Sequence, residues 1–292
     1  MPQKKLQFFW REKFDIIKSM QNKLQKIFKK KNKIVIGALH FSHLLGYPKF
    51  AGFKKILKDA VSDLRALENG GVDGIILENN YGLSPEFVDT PVAISMGYLI
   101  GEIKKMTKLS LGVDVLWNDY KTAFALAKTY DLQFIRVPVF VDTVKPYCGK
   151  IVGDAKKVLE TRKMLGAESV AIFADIHVKH AKLLSKDSLS VSAKKAVKAG
   201  ADAVIVTGTW TGKKPSEEDL IIVRKAIGNH SIMVGSGADK DNISDLFKIA
   251  DGVIVSTSLK KGGVKKGVRN VKSHTQRLDV KKVKEFMTKV KK

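Results

Sequence analysis

The chain has 292 residues, with 53 Lys and Arg against 29 Asp and Glu, a single cysteine and 44% hydrophobic residues. These values fit one large domain or two small ones, and they exclude the collagen-like, disulfide-stapled and disordered classes. Because the lone Cys148 cannot form an internal disulfide, the start has no secretory signal pattern and no apolar run reaches about 18 residues, we expect a cytoplasmic protein that does not cross a membrane.

The net charge of +24 is concentrated at the two ends of the chain. Residues 1–33 have 11 basic and 2 acidic side chains, and residues 260–292 have 13 and 2, whereas the 226 residues between them carry an excess of only four positive charges. A basic groove built into the fold would spread this charge through the middle of the chain. The distribution therefore argues against nucleic acid as a partner.

Residues 1–33 are predicted to form a basic amphipathic N-terminal helix. From Leu6 to Phe28 apolar residues recur at nearly helical spacing, and Lys and Arg fill most of the other positions. Two interpretations stay open. The helix lies on an anionic membrane surface with Trp10 inserted, which would make the protein peripheral on the membrane, or it plugs one end of the domain that follows.

Residues 34–292 alternate helical patterns with continuous apolar runs, several of which follow a Gly or a short polar step and then an Asp. Continuous apolar runs are typical of strands that are buried on both faces in a parallel sheet covered by helices. Eight such runs predict a single (β/α)8 barrel, and the absence of Gly-x-Gly-x-x-Gly after the first run argues against an open dinucleotide-binding sheet. The predicted strands are residues 34–40, 74–78, 111–116, 134–139, 170–176, 203–207, 231–235 and 252–256.

In such barrels the chemistry lies at the C-terminal ends of the strands. Asp175, His177 and Lys179 alternate, so on a continuing strand they would share one face, with Asp175 orienting His177 as an acid or base. Lys179 and Arg136 would stabilise a developing anion. A buried ion pair that only fills the barrel mouth is the alternative interpretation. The predicted catalytic residues are His40, Glu78, Asp114, Asn118, Arg136, Asp175, His177 and Lys179.

The seventh and eighth strands end in small residues, at the position where barrels of this kind bind phosphate through backbone N–H groups. These residues predict a small phosphorylated or otherwise anionic substrate, and two tight turns that need glycine are the alternative. The predicted phosphate-binding residues are Gly235, Ser236, Gly237, Ser256, Thr257 and Ser258.

No metal-ligand spacing of the His-x-His or His-Glu-x-x-His kind occurs, so the sequence identifies no cofactor. A divalent metal at the strand ends stays open as an alternative, with ligands drawn from His40, Glu78, Asp114, Asp175 and His177.

After the eighth strand, residues 260–277 are predicted to form a basic loop near the mouth, whose charge would attract anionic substrates. A final helix is predicted at about 280–290 and is expected to pack back on the barrel. Whether the chain forms a homo-oligomer stays open.

Several strings at the predicted strand ends are specific enough to suggest a family. They are GALH at 37–40, LGVDVLWND at 111–119, FADIHVKHA at 173–181, GSG at 235–237 and STSLK at 256–260. From about Lys33 to Leu259 the chain resembles the BtpA family, which includes SgcQ-like proteins. The resemblance implies a TIM barrel similar to phosphate-binding barrels and gives no substrate. Two strings depart from the family pattern: residues 45–48 read LGYP in place of Leu-Pro-Gly-x-Pro, and residues 256–258 read STS in place of Gly-Thr-Ser.

The strand-end residues predict an enzyme that performs a lyase, isomerase or hydrolase step on a small phosphorylated or anionic metabolite by acid–base chemistry. The alternative is a non-catalytic biogenesis or assembly factor that associates peripherally with a membrane or a protein complex. The two hypotheses differ in a structural property. An enzyme requires a cavity on which the polar residues converge, whereas a scaffold could leave them paired with each other and no cavity between them.

Overall fold

Eight parallel strands pair edge to edge into a closed barrel in this computed structural model, which describes residues 23–82, 84–262 and 276–291. The predicted (β/α)8 barrel is therefore confirmed, and each barrel strand begins within one residue of its predicted start. The strands are β1 (Ile34–His40), β2 (Gly74–Glu78), β3 (Ser110–Asp114), β4 (Phe134–Val137), β5 (Thr143–Lys145), β6 (Ile151–Val152), β7 (Ala171–Ile176), β8 (Lys182–Leu183), β9 (Ala203–Val206), β10 (Ile232–Val234) and β11 (Gly252–Val255).

The barrel closes in the order β1-β2-β3-β4-β7-β9-β10-β11, and β5, β6 and β8 form a small antiparallel sheet outside it. None of the helices in the described part of the chain combines the length and the apolar character needed to cross a membrane. The helices are α1 (Lys23–Phe28), α2 (Phe53–Gly70), α3 (Thr90–Met106), α4 (Tyr120–Thr129), α5 (Ala155–Met164), α6 (Leu189–Lys198), α7 (Glu217–Ile227), α8 (Ile243–Leu246) and α9 (Val280–Lys291).

The last helix, α9, packs against α2, as the sequence predicts for the final barrel helix. A Cβ on Gly70, at the end of α2, would overlap the side chain of Val283. Glycine at this position therefore allows the two helices to approach closely.

The aspartates that precede several strands have a structural role at the N-terminal end of the barrel. Each of three carboxylates accepts a hydrogen bond of 2.8 Å from a backbone N–H group on the adjacent strand. The bonds satisfy donors that the sheet leaves unpaired where the strands begin. The pairs are Asp73 with Val35, Asp202 with Ile172, and Asp251 with Ile232.

The described end of the amphipathic segment closes this N-terminal end of the barrel. The ring of Phe28 lies between the barrel strands, 5.7 Å from the ring of Phe134 and 6.4 Å from that of Phe173. Lys23 Nζ lies 3.3 Å from a carboxylate oxygen of Asp202. The last residues of this segment therefore bury their apolar side chains in the barrel, and Lys23 pairs with one of the three aspartates described above.

Two predicted segments lie partly outside the described residues: residues 1–22 of the amphipathic helix and residues 263–275 of the basic loop. At the start of that loop, Lys260 does not lie in open solvent. Its side chain is buried, and its Nζ donates a hydrogen bond of 2.6 Å to the hydroxyl of Tyr81.

Removing the Phe28 ring is expected to destabilise the barrel. Phe28→Ala leaves a void beside the stacked rings of Phe134 and Phe173, and we expect it to lower the free energy of unfolding by about 3–5 kcal/mol, measured by urea denaturation of the full chain. Gln25→Ala, on the exposed face of the same helix, is the control and should change stability by less than about 0.5 kcal/mol. Equal effects of the two variants would show that the helix does not close the barrel.

Candidate functional site

Four neighbouring barrel strands each carry one charged or titratable side chain at the C-terminal end of the barrel. The strand pairing sets His40 beside Glu78, and Glu78 beside Asp114, and the pairing of β3 with β4 continues the row to Arg136. Because residues that lie side by side on adjacent strands point to the same face of a sheet, all four side chains point into the barrel mouth. They line a cavity of about 740 Å³.

Arg136 lies at the centre of this group, with its side chain only 7% exposed. Its Nε and Nη2 donate hydrogen bonds of 2.7 and 2.9 Å to the two carboxylate oxygens of Asp175. Its Nη1 lies 3.6 Å from Asp114 and 3.7 Å from Glu78. Burial disfavours the charged guanidinium, but Asp175, Asp114 and Glu78 together raise the pKa of Arg136 above its ordinary value.

Asp114 is fully buried, and neither of its carboxylate oxygens forms a hydrogen bond with another described residue. Burial raises the pKa of Asp114 well above its ordinary value, and the nearby charges of Glu78 and Asp175 raise it further, although Arg136 acts in the opposite direction. The raised pKa favours the protonated form of this carboxyl, which lines the cavity, and a protonated carboxyl in a cavity has the property of a general acid.

Glu78 and His40 form a second pair. The Nε2 atom of His40 lies 3.1 Å from Glu78 Oε2. Burial lowers the pKa of His40, so its ring is neutral near pH 7 and donates the Nε2 proton to the carboxylate. Burial opposes the charge of Glu78, but the hydrogen bond from His40 and the positive charges of Arg136 and Lys179 lower its pKa below the ordinary value. Glu78 is therefore a carboxylate that shares its neighbour Arg136 with Asp114, the carboxyl whose pKa is raised.

Lys179 lies on the same cavity, next to the loop that follows β10. Its Nζ donates a hydrogen bond of 3.1 Å to the backbone carbonyl of Gly235. Burial lowers the pKa of Lys179 to about 8, and the positive charge of Arg136 acts in the same direction. A substantial fraction of this amine is therefore unprotonated in weakly alkaline solution.

The predicted pairing of Asp175 with His177 is wrong. Strand β7 ends one residue before His177, whose backbone φ of 46° reverses the direction of its side chain. The ring of His177 lies 3.3 Å from the hydroxyl of Ser192 on α6, and its backbone N–H donates to Asp142. Both oxygens of Asp175 are bound to Arg136 instead. The described lining of the cavity does not include His177.

Asn118 is also outside the cavity lining. Its side-chain Nδ2 donates to the carbonyl of Val139 at 3.1 Å, and its Oδ1 accepts from the N–H of the same residue at 2.9 Å. Both polar atoms are used in joining the segment after β3 to the segment after β4. The geometry therefore assigns Asn118 a structural role in place of the predicted catalytic one.

All six predicted phosphate-binding residues line the side of the cavity formed by the loops after β10 and β11. The hydroxyl of Ser256 is buried and has no hydrogen-bond partner among the described residues. Among the hydrogen bonds of the described residues, none has the backbone N–H of Ser236, Gly237, Ala238, Ser256, Thr257 or Ser258 as its donor. Unpaired N–H groups beside a cavity are suited to an anion.

The hydroxyl groups of two predicted phosphate-binding residues in these loops already have partners. Ser236 Oγ accepts from the N–H of Gly208 at 2.9 Å and donates to the carbonyl of Lys213 at 2.8 Å. Ser258 Oγ donates to the carbonyl of Ala238 at 2.8 Å. The hydroxyls therefore hold the loops together, and the backbone N–H groups are the donors that stay available to a ligand.

Gly237 has a backbone φ of 72°, a conformation that favours glycine. A Cβ at this position would overlap the backbone of Lys214 in the loop after β9. Glycine here therefore serves the turn and the close packing of the two loops, which is the alternative that the sequence left open. The same packing leaves the N–H group of Gly237 at the cavity.

Sequence reasoning missed an aromatic wall of the cavity, formed by Trp117, Tyr147, His180 and Trp210. His180 Nε2 lies 2.8 Å from the Thr211 hydroxyl, and its ring meets that of Trp210 edge-on at 5.3 Å. Two of these residues, Trp117 and His180, lie within the strings that carry the family resemblance, which was the available signal. Tyr147 reaches the cavity only because β5 and β6 fold over the mouth.

Within residues 23–82, 84–262 and 276–291, no three His, Cys, Asp or Glu side chains are arranged so that they could hold a metal ion.

Sequence comparisons agree with the resemblance read from the strand-end strings. Residues 31–292 match the model of the BtpA family. The photosystem I biogenesis protein BtpA of Synechocystis sp. is 36% identical over 233 residues, which cover 78% of this chain and 81% of that protein. A protein of Archaeoglobus fulgidus is 37% identical over 236 residues (80% and 93%), and a mitochondrial protein of Caenorhabditis elegans is 33% identical over 251 residues (82% and 90%).

Solved structures with the same fold are far less similar in sequence. N-(5′-phosphoribosyl)anthranilate isomerase from Pyrococcus furiosus has a TM-score of 0.52 and 15% identity, with 88% of this chain and 98% of that chain covered. KGPDC from Streptococcus mutans has a TM-score of 0.52 and 12% identity, with 89% and 98% covered. At this level of identity the likeness shows the TIM-barrel fold alone.

The buried carboxyl of Asp114 is expected to make stability fall with rising pH. Its pKa is raised in the folded state, so the unfolded chain loses this proton first, and the stability contribution is lost as pH rises from about 4 upward. Asp114→Asn removes the titrating carboxyl group and with it this loss of stability at higher pH. We expect a melting temperature about 2–4 °C higher than wild type at pH 7.5, which corresponds to a change of about 1 kcal/mol in the free energy of unfolding of a large domain. Near pH 4 we expect no difference.

The control for this comparison is Asp241→Asn, which changes an exposed aspartate and should leave the pH dependence of the melting temperature as in wild type. A lower melting temperature of Asp114→Asn at pH 7.5 would contradict the assignment, because it would mean that a charged Asp114 stabilises the fold.

Proposed function

The chain belongs to the BtpA family, and from its cavity we propose that it is an enzyme that acts on a small phosphorylated metabolite by acid–base chemistry. The reaction class is a lyase or isomerase step, in which protons move to and from the carbon skeleton of the substrate. The loops after β10 and β11 hold the phosphate, and the charged row on β1 to β4 contacts the reacting part.

One observation carries this proposal. A single cavity of about 740 Å³ has acid–base groups on one side and unpaired backbone N–H groups on the other. A scaffold that only fills its barrel would pair these groups with each other, whereas the carboxyl of Asp114 lacks a hydrogen-bond partner in the described part of the chain. A cavity with a few convergent polar groups and shifted pKa values is the usual form of an active site.

The residues have distinct roles in this proposal. Asp114, whose raised pKa favours the protonated form, donates a proton to an oxygen of the substrate, and the carboxylate of Glu78 accepts one from carbon or from a hydroxyl group. His40 holds Glu78 in position through its hydrogen bond of 3.1 Å. Arg136 positions the three carboxylates and stabilises negative charge that develops in the transition state.

The competing candidate is an assembly factor without catalytic activity. The observation in its favour is the printed name of the Synechocystis relative, a photosystem I biogenesis protein with 36% identity. Other relatives at comparable identity come from an archaeon and a nematode, organisms without photosystem I. A function shared by all of these relatives would therefore not depend on photosystem I. An activity of the cavity on a small molecule would be such a function.

Phosphate binding on these loops is tested by thermal shift. Inorganic phosphate and small sugar phosphates are expected to raise the melting temperature of the wild type, by an amount equivalent to about 2.7 kcal/mol at a hundredfold excess over Kd. Thr257→Asp places a negative charge beside the N–H groups and should abolish the shift. Thr257→Asn has the same shape without the charge, and it should retain the shift.

If the Asp and Asn variants respond equally, the anion does not bind at this loop. If no phosphate compound stabilises the wild type, the substrate class is wrong and the assembly role becomes the better account.

A further inference from the structure

Lys179 has surroundings that ordinary charge pairing does not explain. The carboxylates of Glu78, Asp175 and Asp114 all act on its charge, yet within the described ranges Lys179 forms no ion pair at 4 Å or less. Its Nζ donates instead to a neutral acceptor, the carbonyl of Gly235. A lysine that only balanced charge would be expected to contact one of the carboxylates, since such contacts favour the ammonium form.

The position of the amine relative to the two walls is also specific. Gly235, which holds Nζ at 3.1 Å, directly precedes the N–H groups of Ser236 and Gly237. The carboxyl of Asp114 lines the same cavity and acts electrostatically on this amine. The amine thus contacts the loop that we assign to phosphate and shares the cavity with Asp114.

We propose that Lys179 is a covalent nucleophile that forms an iminium with the carbonyl group of a phosphorylated aldehyde or ketone. The inference rests on the proposed function and deepens it, since it names a carbonyl near the phosphate as the reacting group. A lysine that is desolvated and close to another cation, as Lys179 is to Arg136, is a recognised form of activated amine.

The step balances with groups present in the cavity. The unprotonated amine attacks the carbonyl carbon, and the carbonyl oxygen takes the proton of Asp114. The nitrogen of this adduct then returns one proton to the Asp114 carboxylate, which passes it to the hydroxyl group as that group leaves as water. The products are one water, an iminium with one positive charge and an Asp114 carboxylate with one negative charge. No oxidant or reductant is needed.

The test uses pyridoxal 5′-phosphate as the probe, because it combines an aldehyde with a phosphate. Full-length protein is incubated with a substoichiometric amount of the probe and reduced with borohydride, and the labelled lysines are identified by mass spectrometry. At pH 8 we expect Lys179 to be labelled on the order of tenfold faster than surface lysines, whose ordinary pKa is about 10.4. Its labelling rate should level off above pH 8, while that of surface lysines continues to rise.

Two internal comparisons separate position from reactivity. The pKa of Lys260 is also lowered by burial to about 8, but Lys260 does not line the cavity, so the proposal expects it to stay unlabelled. Pyridoxal, which lacks the phosphate, should label Lys179 more slowly than the phosphorylated probe, and inorganic phosphate should protect Lys179 from the latter. Lys179→Met should lose the fast phase of labelling.

The outcomes distinguish this inference from the proposed function. Labelling of Lys179 no faster than that of surface lysines, in a protein that phosphate still stabilises, would overturn the nucleophile and leave the phosphate site standing. Fast labelling of Lys179 by both aldehydes without protection by phosphate would support the nucleophile and overturn the phosphate site. Labelling of Lys260 at the rate of Lys179 would show that burial alone accounts for the reactivity and would overturn the inference.

Discussion

The bidentate pair between Arg136 and Asp175 determines the electrostatics of the barrel mouth. Because this pair occupies Nε and Nη2 of the guanidinium, only Nη1 is left for Asp114 and Glu78, at 3.6 and 3.7 Å. These distances are too long for a normal hydrogen bond. Arg136 thus offsets only part of the charge of three buried carboxylates, and the burial of Asp114 raises its pKa well above the ordinary value. The reactive properties of the cavity follow because the negative charge of the carboxylates is only partly compensated by Arg136.

The two ends of the barrel use aspartates in opposite ways. At the N-terminal end each carboxylate is paired, as where Asp73 accepts from a strand N–H at 2.8 Å and from Lys30 at 2.9 Å. At the C-terminal end Asp114 is left without a hydrogen bond among the described residues. The first arrangement stabilises the fold, and the second costs stability. Barrels of this fold divide stability and chemistry between their ends in the same way, and buried groups that lower stability are typical of functional sites.

Much of the fold could be predicted from the sequence because local signals coincide. Continuous apolar runs, several of them after an Asp, predicted all eight barrel strands, and the errors lie at strand ends, where the predicted fourth strand continues to Val139 but the ladder ends at Val137. The row of His40, Glu78, Asp114 and Arg136 was also predictable, since each residue ends or lies within a strand. The predictions that failed concern residues whose side-chain positions depend on contacts with other parts of the chain or on backbone conformation. His177 left the cavity because of a left-handed φ that a non-glycine residue rarely adopts.

The central claim is that Asp114 is the proton donor of the cavity, which requires that its raised pKa keep the carboxyl protonated near neutral pH. The most direct measurement is the infrared difference spectrum between wild type and Asp114→Asn, recorded at pH 7, in the region of the C=O stretch of protonated carboxyl groups. The account predicts a protonated-carboxyl band in the wild type that is missing in the variant and that disappears in the wild type only at higher pH. A difference spectrum at pH 7 that shows only the carboxylate bands of Asp114 would contradict it.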